Sequence, residues 1–472
     1  MNKIKYLMLT LAVITFSGCS NWLSVEPETS VDEEKLFSTE QGFKDAMAGV
    51  YADMASSSLY GQNLGFGFLD VLAQQYDYNT LNSTYSSFYR VKDYEYTYST
   101  VKSQIASIWL QMYNTIAEIN NIFRWMDKNG NVLSEPTKHR IKGQCHIVRA
   151  YLHYDLLRLF APDVLRKPNE KGIPYVETFG ITPTGSSTVA EVIAKIKNDL
   201  AIAKEELKDD PIFQVVPFEI EDKTLCDQYV AQANYYTAEA LLARVYLDEG
   251  KYKEARDAAL RVIGSGKFQL VDYGSSIDVP KEKLDILFND EHIFSLRNTN
   301  IRTYSENLHL GKSENGTTSG AALPLTSNIQ EIFDGNNDDL RYSTWIRQSD
   351  SYLMKYNQDI KRFYPKQVLI KLSEMYLICA EAKFRLNEGD ALETLNILRR
   401  SRITNPATSD KYLIDEKVLL SEIRREFIGE GQLFFQYKRL NSPIYNILNE
   451  VEPSDRVFVL PIPDSELEYG KY

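Results

Sequence analysis

Tryptophan is scarce in this chain: 472 residues hold 4 of them, with 4 cysteines and 5 histidines. So few thiols and imidazoles, with none of the cysteines at close spacing, imply neither a disulfide framework nor a zinc site. Hydrolase and nucleotide signatures are also missing, for the sequence has no GxSxG, no glycine-rich phosphate loop and no HExxH. Positive charge is in deficit, 53 Lys and Arg against 65 Asp and Glu. An acidic body of this kind is a poor partner for nucleic acid or an anionic membrane surface. The apolar run Tyr6 to Phe16 is too short to span a bilayer as a stable helix. Nothing in these features calls for a cofactor.

What the chain has in excess is tyrosine, 31 residues. A phenol on a surface offers an apolar face and a hydrogen-bonding tip, which suits a binding site. The N-terminus adds a second feature. Lys3 and Lys5 precede the short apolar run, and Phe16-Ser17-Gly18-Cys19 closes it. This resembles a bacterial lipobox, so residues 1–18 are expected to be a signal peptide and Cys19 the lipidated N-terminus. Several acyl chains, each buried methylene contributing ~0.8 kcal/mol, would anchor the protein firmly. Removing residues 1–18 takes away two lysines and no acid, which moves the formal charge from -12 to -14. Residues 19–37, rich in Ser, Pro and acids, read as a tether. Cys145, Cys226 and Cys379 remain as small buried hydrophobes, with a Cys145–Cys226 bridge left open.

From residue 38 onward the dominant pattern is helical. Ser38 or Thr39 caps a helix to about Met54 with Phe43, Met47 and Val50 inward. Further helices are expected over Ile105–Trp125, Thr137–Phe160 and Val189–Leu207, the last capped by Ser187 or Thr188. Residues 209–228 read as loop. The stretch Ala233–Ile263 is a pair of helices hinged at Gly250, and its Leu242, Ala243, Tyr246, Gly250, Tyr252, Ala255 and Ala259 are similar to the packing positions of a tetratricopeptide repeat. A second such pair follows Leu369, broken at Gly389. Leu369, Leu372, Met375, Tyr376, Cys379 and Phe384 share one face of its first helix. The expected fold is therefore mainly α: about four helix pairs in one body over 38–472. Two loop-rich insertions interrupt it, near 56–100 and 266–365, the latter with possible short strands at Phe268–Val271 and His292–Leu296.

Several groups invite a chemical reading. Glu374 and Glu381 stand seven residues apart, ~10.5 Å along a helix axis, wider than the usual glycosidase pair. Lys371, Arg385, Arg424 and Arg425 are candidate partners that would make them structural instead. His139, His146 and His153 share the same spacing, too wide for any two to hold one ion, and read as a half-exposed stripe. Asp334, Asn336, Asp338 and Asp339 resemble half of a calcium loop, but Trp345 stands where the closing Glu belongs; an Asx-rich turn is the plainer reading. Arg399, Arg400 and Arg402 would complement a helix C-terminus. The insertions carry the polar-aromatic clusters: Tyr76, Tyr78, Asn79, Tyr85 and Tyr89 in the first, and Arg297, Asn298, Asn300, Arg302, Tyr304, Asn307 and His309 in the second. Rings stack on sugar faces or peptide planes while amides and Arg read hydroxyls or carbonyls. Packing of loops on the helical body is the alternative.

Taken in order, the segments after the lipobox are NWLSVEP, HIVRAYLHYDLLRLFAPDV, the repeat at Ala233–Ile263, LIKLSEMYLICAEA, IRREFIGEGQLFFQYKR and LPIPDSELEYG. Together they resemble the SusD/RagB-like outer-membrane lipoproteins of Bacteroidetes, nearly end to end. Lys371 replaces a common Arg, Gln436-Tyr437 a common Asp and apolar residue, and Gly470 a frequent Asn, all at scaffold positions. The resemblance implies a tetratricopeptide-like scaffold with a non-enzymatic ligand face built from the insertions. It also implies an oligosaccharide or peptide ligand, with a partner SusC-like, TonB-dependent transporter on which the protein sits as a lid at the outer membrane. Site residues follow from position alone: Tyr76, Tyr78, Asn79, Tyr85, Arg302 and Tyr304. A surface glycoside hydrolase and a protein-only adaptor are the competing classes.

Overall fold

The computed structural model describes residues 33–81, 86, 88–271, 284–311, 322–357, 365–445 and 450–471. Residues 1–18, Cys19 and most of the expected tether lie outside them. Eight helices form the scaffold: α1 Glu40–Met54, α2 Ser99–Asn129, α3 Glu135–Phe160, α4 Val189–Glu206, α5 Tyr235–Asp248, α6 Tyr252–Ile263, α7 Leu372–Arg385 and α8 Ala391–Arg400. Each packs on the next, which makes four successive pairs in the tetratricopeptide manner. Local chemistry sets their ends. Thr39 accepts the Gly42 N–H ahead of α1, and capping boxes join Thr188 to Glu191 and Asn234 to Thr237 at the starts of α4 and α5. Gly250 turns α5 into α6 at φ +70°.

Helix α3 is the hub. Every residue from Gly143 to Phe160 is buried, so beyond its first two turns it has no solvent-exposed stripe. The histidine stripe is accordingly not half-exposed. His139 is at the surface, but His146 bonds Asp199 at 2.9 Å and His153 is fully buried. The C-terminus of α3 is closed from a distance, because Lys438 donates to the carbonyls of Arg158 and Ala161, groups a helix end leaves without partners.

Strand β1, His292–Arg297, pairs antiparallel with β2, Lys366–Lys371, from His292↔Lys371 to Arg297↔Lys366. β2 runs directly into α7, so Leu369 belongs to the strand and the helix begins at Leu372. Phe268–Val271 is not a strand, and the expected loop over 209–228 contains two 3-10 turns and most of a helix, Lys223–Val230. After α8 come α9 Glu416–Glu426 and α10 Leu433–Leu440. Cys145, Cys226 and Cys379 are buried and none of them is in a disulfide, so there is no bridge between the first two. Among the described residues no helix is long and apolar enough to cross a membrane.

The first insertion is mostly interior. Tyr60, Phe66, Phe68, Tyr76, Phe88, Tyr94 and Tyr96 are all buried, which corrects the view of it as a ring-lined surface. Their hydroxyls have partners: Tyr60 donates to Asp155, Tyr94 to the Leu72 carbonyl and Tyr96 to the Val457 carbonyl. A chain of buried charges ties this insertion to the scaffold. Asp70 accepts the N–H groups of Gly429 and Gly431 at 2.8 and 3.1 Å. Between those glycines lies Glu430, which takes both Lys355 and Lys371 at 2.5 Å. Lys371 continues to Glu426, Glu426 to Arg402 and Arg341, and Arg341 to Glu422. Gly431 has φ +68°, and a Cβ there would lie 2.1 Å from the Leu64 carbonyl oxygen.

Candidate functional site

The two insertions meet along a short seam. Asp77 N–H donates to the Pro324 carbonyl at 3.0 Å, Thr326 N–H to the Gln75 carbonyl at 2.9 Å, and Tyr76 bridges to Leu325. Below the seam, His309 sits 5.5 Å from the rings of both Phe66 and Tyr76. Burial pushes its imidazole down to about 4, so it stays neutral and acts as packing.

On this seam the positional site residues divide. Tyr76 is 2% exposed and its hydroxyl is spent on the Phe66 carbonyl; it is an interior residue and offers no ring to a ligand. Tyr78 opens a short helix, Tyr78–Leu81, and is half-buried. Lys92 lies 3.7 Å over one face of its ring and Asp93 accepts its hydroxyl at 3.0 Å. A ring held at both its face and its tip loses little freedom on binding. Asn79 is exposed beside it. Tyr85 lies outside the described residues. Arg302 and Tyr304 stand two positions apart on the helix Ile301–His309, where a helix directs side chains to different sides. Arg302 is exposed and pairs with Glu306 at 3.0 Å, while Tyr304 is half-buried against the core. Sequence reasoning missed Lys92 and Asp93, whose roles depend on a ring fourteen residues or more away in the chain; no local pattern marks them.

The acids that looked catalytic are tied up. Glu374 forms a two-pronged pair with Arg244, both contacts 2.7 Å, and Glu381 forms one with Arg439, also 2.7 Å twice. Neither main partner was among the candidates named from sequence; only Arg385 comes near, 3.8 Å from Glu381. The calcium-like loop is an Asx-rich turn. Asn336 accepts the Asp338 N–H, Asp339 caps a short helix through the Arg341 N–H, and Asp334 pairs with Arg425 and Lys411 at 2.7 and 2.9 Å. Arg399 and Arg402 do more than end α8: they reach Glu422 and the Glu291–Glu426 pair in the interior. Among the described residues no group of three or more His, Cys, Asp or Glu could hold a metal ion.

Comparison with known proteins adds further observations. A SusD-like family described as starch-binding and associating with the outer membrane matches residues 21–247, and the SusD family matches residues 297–468. The chain is 23% identical to SusD-like protein P2 of Formosa agariphila, over 98% of this chain and 97% of that protein. Its fold is that of a SusD superfamily protein from Bacteroides thetaiotaomicron, with a TM-score of 0.72 at 22% identity over 92% of this chain and 98% of the other. A SusD-like carbohydrate-binding protein from Bacteroides vulgatus superimposes with a TM-score of 0.69 at 18% identity, over 92% and 97% of the two chains.

Proposed function

The chain belongs to the SusD family of non-enzymatic binding proteins, and from that premise we propose that it captures oligosaccharide outside the cell and passes it to a TonB-dependent transporter as a hinged lid. Residues 1–18 direct export, Cys19 carries the lipid, and residues 19–37 form the tether that permits opening and closing. The observation that carries the reading is the seam itself. Two insertions far apart in sequence are joined over a rigid helical scaffold, an arrangement suited to loop-borne binding. The ligand face is Tyr78, Asn79, Arg302 and Tyr304, with Tyr85, seven residues after Tyr78, assigned by sequence position and Tyr76 as its buried support. Rings give stacking platforms, and Asn79 and Arg302 read hydroxyls.

A second reading is peptide or glycopeptide uptake, favoured by the abundance of Tyr over Trp, since Trp is the larger sugar platform. Titration calorimetry of protein lacking Cys19 against oligosaccharide and peptide panels separates the two. Oligosaccharide binding without product formation is expected, and Tyr78→Ala or Tyr304→Ala should weaken it about tenfold, or ~1.4 kcal/mol. Turnover of any ligand would place the protein among the hydrolases. Unchanged affinity in both variants would put the site elsewhere. Pull-down from detergent-solubilised membranes should recover a large barrel protein, and metabolic palmitate labelling should be lost in Cys19→Ser.

A further inference from the structure

Away from the seam, on the scaffold, a cleft of about 480 Å³ opens between α1, α3 and the segment Asp227–Gln232. Much of its lining is apolar. Met47, Ala48 and Ala52 line one side, and Ile141 with Ala231 the other. On α1 and α3 the lining positions recur at helical spacing, so each helix presents one face to the cleft.

The electrostatics of this cleft run against those of the whole chain. Arg140 donates to the Gln228 carbonyl at 2.9 Å and the Gln232 side chain at 3.2 Å. Among the described residues no carboxylate lies within ion-pair distance of it. Asp210 feels its charge, but is engaged by the backbone N–H groups of Ile212 and Tyr235. Arg297 is fixed at the rim by the Thr224 carbonyl and by Asp227, 3.4 Å away. That same Asp227 already neutralises the buried Lys366 at 2.6 Å, so one anion serves two cations. Lys44, on the opposite lip, pairs with Glu40 at 2.7 Å. Counting Lys366 behind the rim, four cations thus stand among three carboxylates, Asp227, Glu40 and Asp210, a local excess of one positive charge in a chain whose formal charge is -12. Such a local excess draws anions into a cleft with low-dielectric walls. Gln144 reaches Gln232 at 3.2 Å, and together with Gln228 they add amides that can both donate and accept.

We propose that this cleft binds the carboxylate of an acidic sugar, with Arg140 as the principal anion contact, Lys44 and Arg297 flanking it, the glutamines reading hydroxyls and the apolar strip taking a ring face. The sugar class rests on the carbohydrate reading above; the negative charge rests on the cleft alone. It would be a second subsite, separate from Tyr78 and Tyr304, and would select for uronate-bearing glycans.

The test uses trigalacturonate and neutral galactotriose, with calorimetry at low and high salt on protein lacking Cys19. Trigalacturonate should bind and lose affinity as salt rises, while galactotriose should bind at least tenfold more weakly. Arg140→Gln should lower trigalacturonate affinity about tenfold, and Ala48→Leu, an exposed position that only fills the cleft, should block it; circular dichroism verifies that both variants fold. Equal affinity for the two sugars, no binding of either, or indifference to both variants overturns the proposal. Survival of Tyr78-dependent glycan binding in any of those cases shows that the failure is the cleft's and not the family reading's.

Discussion

Replacing Arg244 by Met should cost far more than its lost contacts suggest. Arg244 and Glu374 are 2% and 3% exposed, and they join α5 to the first turn of α7 through two contacts of 2.7 Å. Without the guanidinium, the Glu374 carboxylate remains in the interior with its counter-charge gone, a situation that costs ~3–5 kcal/mol. The Leu369 carbonyl also loses the N–H that Arg244 donates at 3.1 Å, worth ~1 kcal/mol more. The sum, ~4–6 kcal/mol, is a large part of the ~5–15 kcal/mol that holds a typical domain together. Arg244→Met with Glu374→Leu removes both charges, and should recover most of the loss because no ion is left stranded. Urea unfolding followed by circular dichroism reads the result; with a slope of about 3 kcal/mol/M the single variant should shift its midpoint by more than ~1 M. A single-variant loss below ~1 kcal/mol, or a double variant no better than the single, would refute the assignment of this pair as a structural tie.

Three other outcomes can be checked directly. His153 donates from Nδ1 to the Arg149 carbonyl and accepts the Val176 N–H at Nε2, so only the neutral ring fits, and burial holds its imidazole down to about 3. A depressed folded-state value makes its contribution complete above the unfolded value near 6.5 and progressively lost below it, ~1.4 kcal/mol per pH unit down to about 3; a pH series of melting curves should show that slope, and His153→Phe should flatten it. Gly431→Ala should destabilise by more than ~2 kcal/mol, since it combines a left-handed backbone with a clash on the Leu64 carbonyl, and chemical denaturation measures this. Thiol reagent should label none of Cys145, Cys226 and Cys379 in the folded protein and all three after unfolding, because they are buried and unbridged; fewer than three would reveal a bond.

The helical pairs were legible because their signals are local. Thr188 and Glu191 cap α4 within one turn, and Gly250 marks a hinge by its own backbone. Helix α3 was legible as a helix but not in its burial, since its length from Gly143 to Phe160 is packed on every side and has no exposed stripe to contrast with. The membership of Glu374 in a tie was legible too, yet its partner lies 130 residues earlier, beyond any spacing rule. Tyrosine was the hardest residue to place. Tyr60 and Tyr96 satisfy their hydroxyls on Asp155 and Val457, and only such distant partners distinguish an interior phenol from one offered to a ligand.

The inward packing of the first insertion also sets where binding preference can change. Its Phe66 to Tyr76 portion is locked to the seam and, through Asp70, to the Gly429–Gly431 turn. Mutations there trade directly against folding, whereas Asn79 and Arg302 are exposed and carry little of the core. On the ligand face proposed above, new preferences should therefore accumulate as substitutions along a narrow rim, and a library confined to exposed positions such as 79 and 302 would sample them while leaving the architecture beneath untouched.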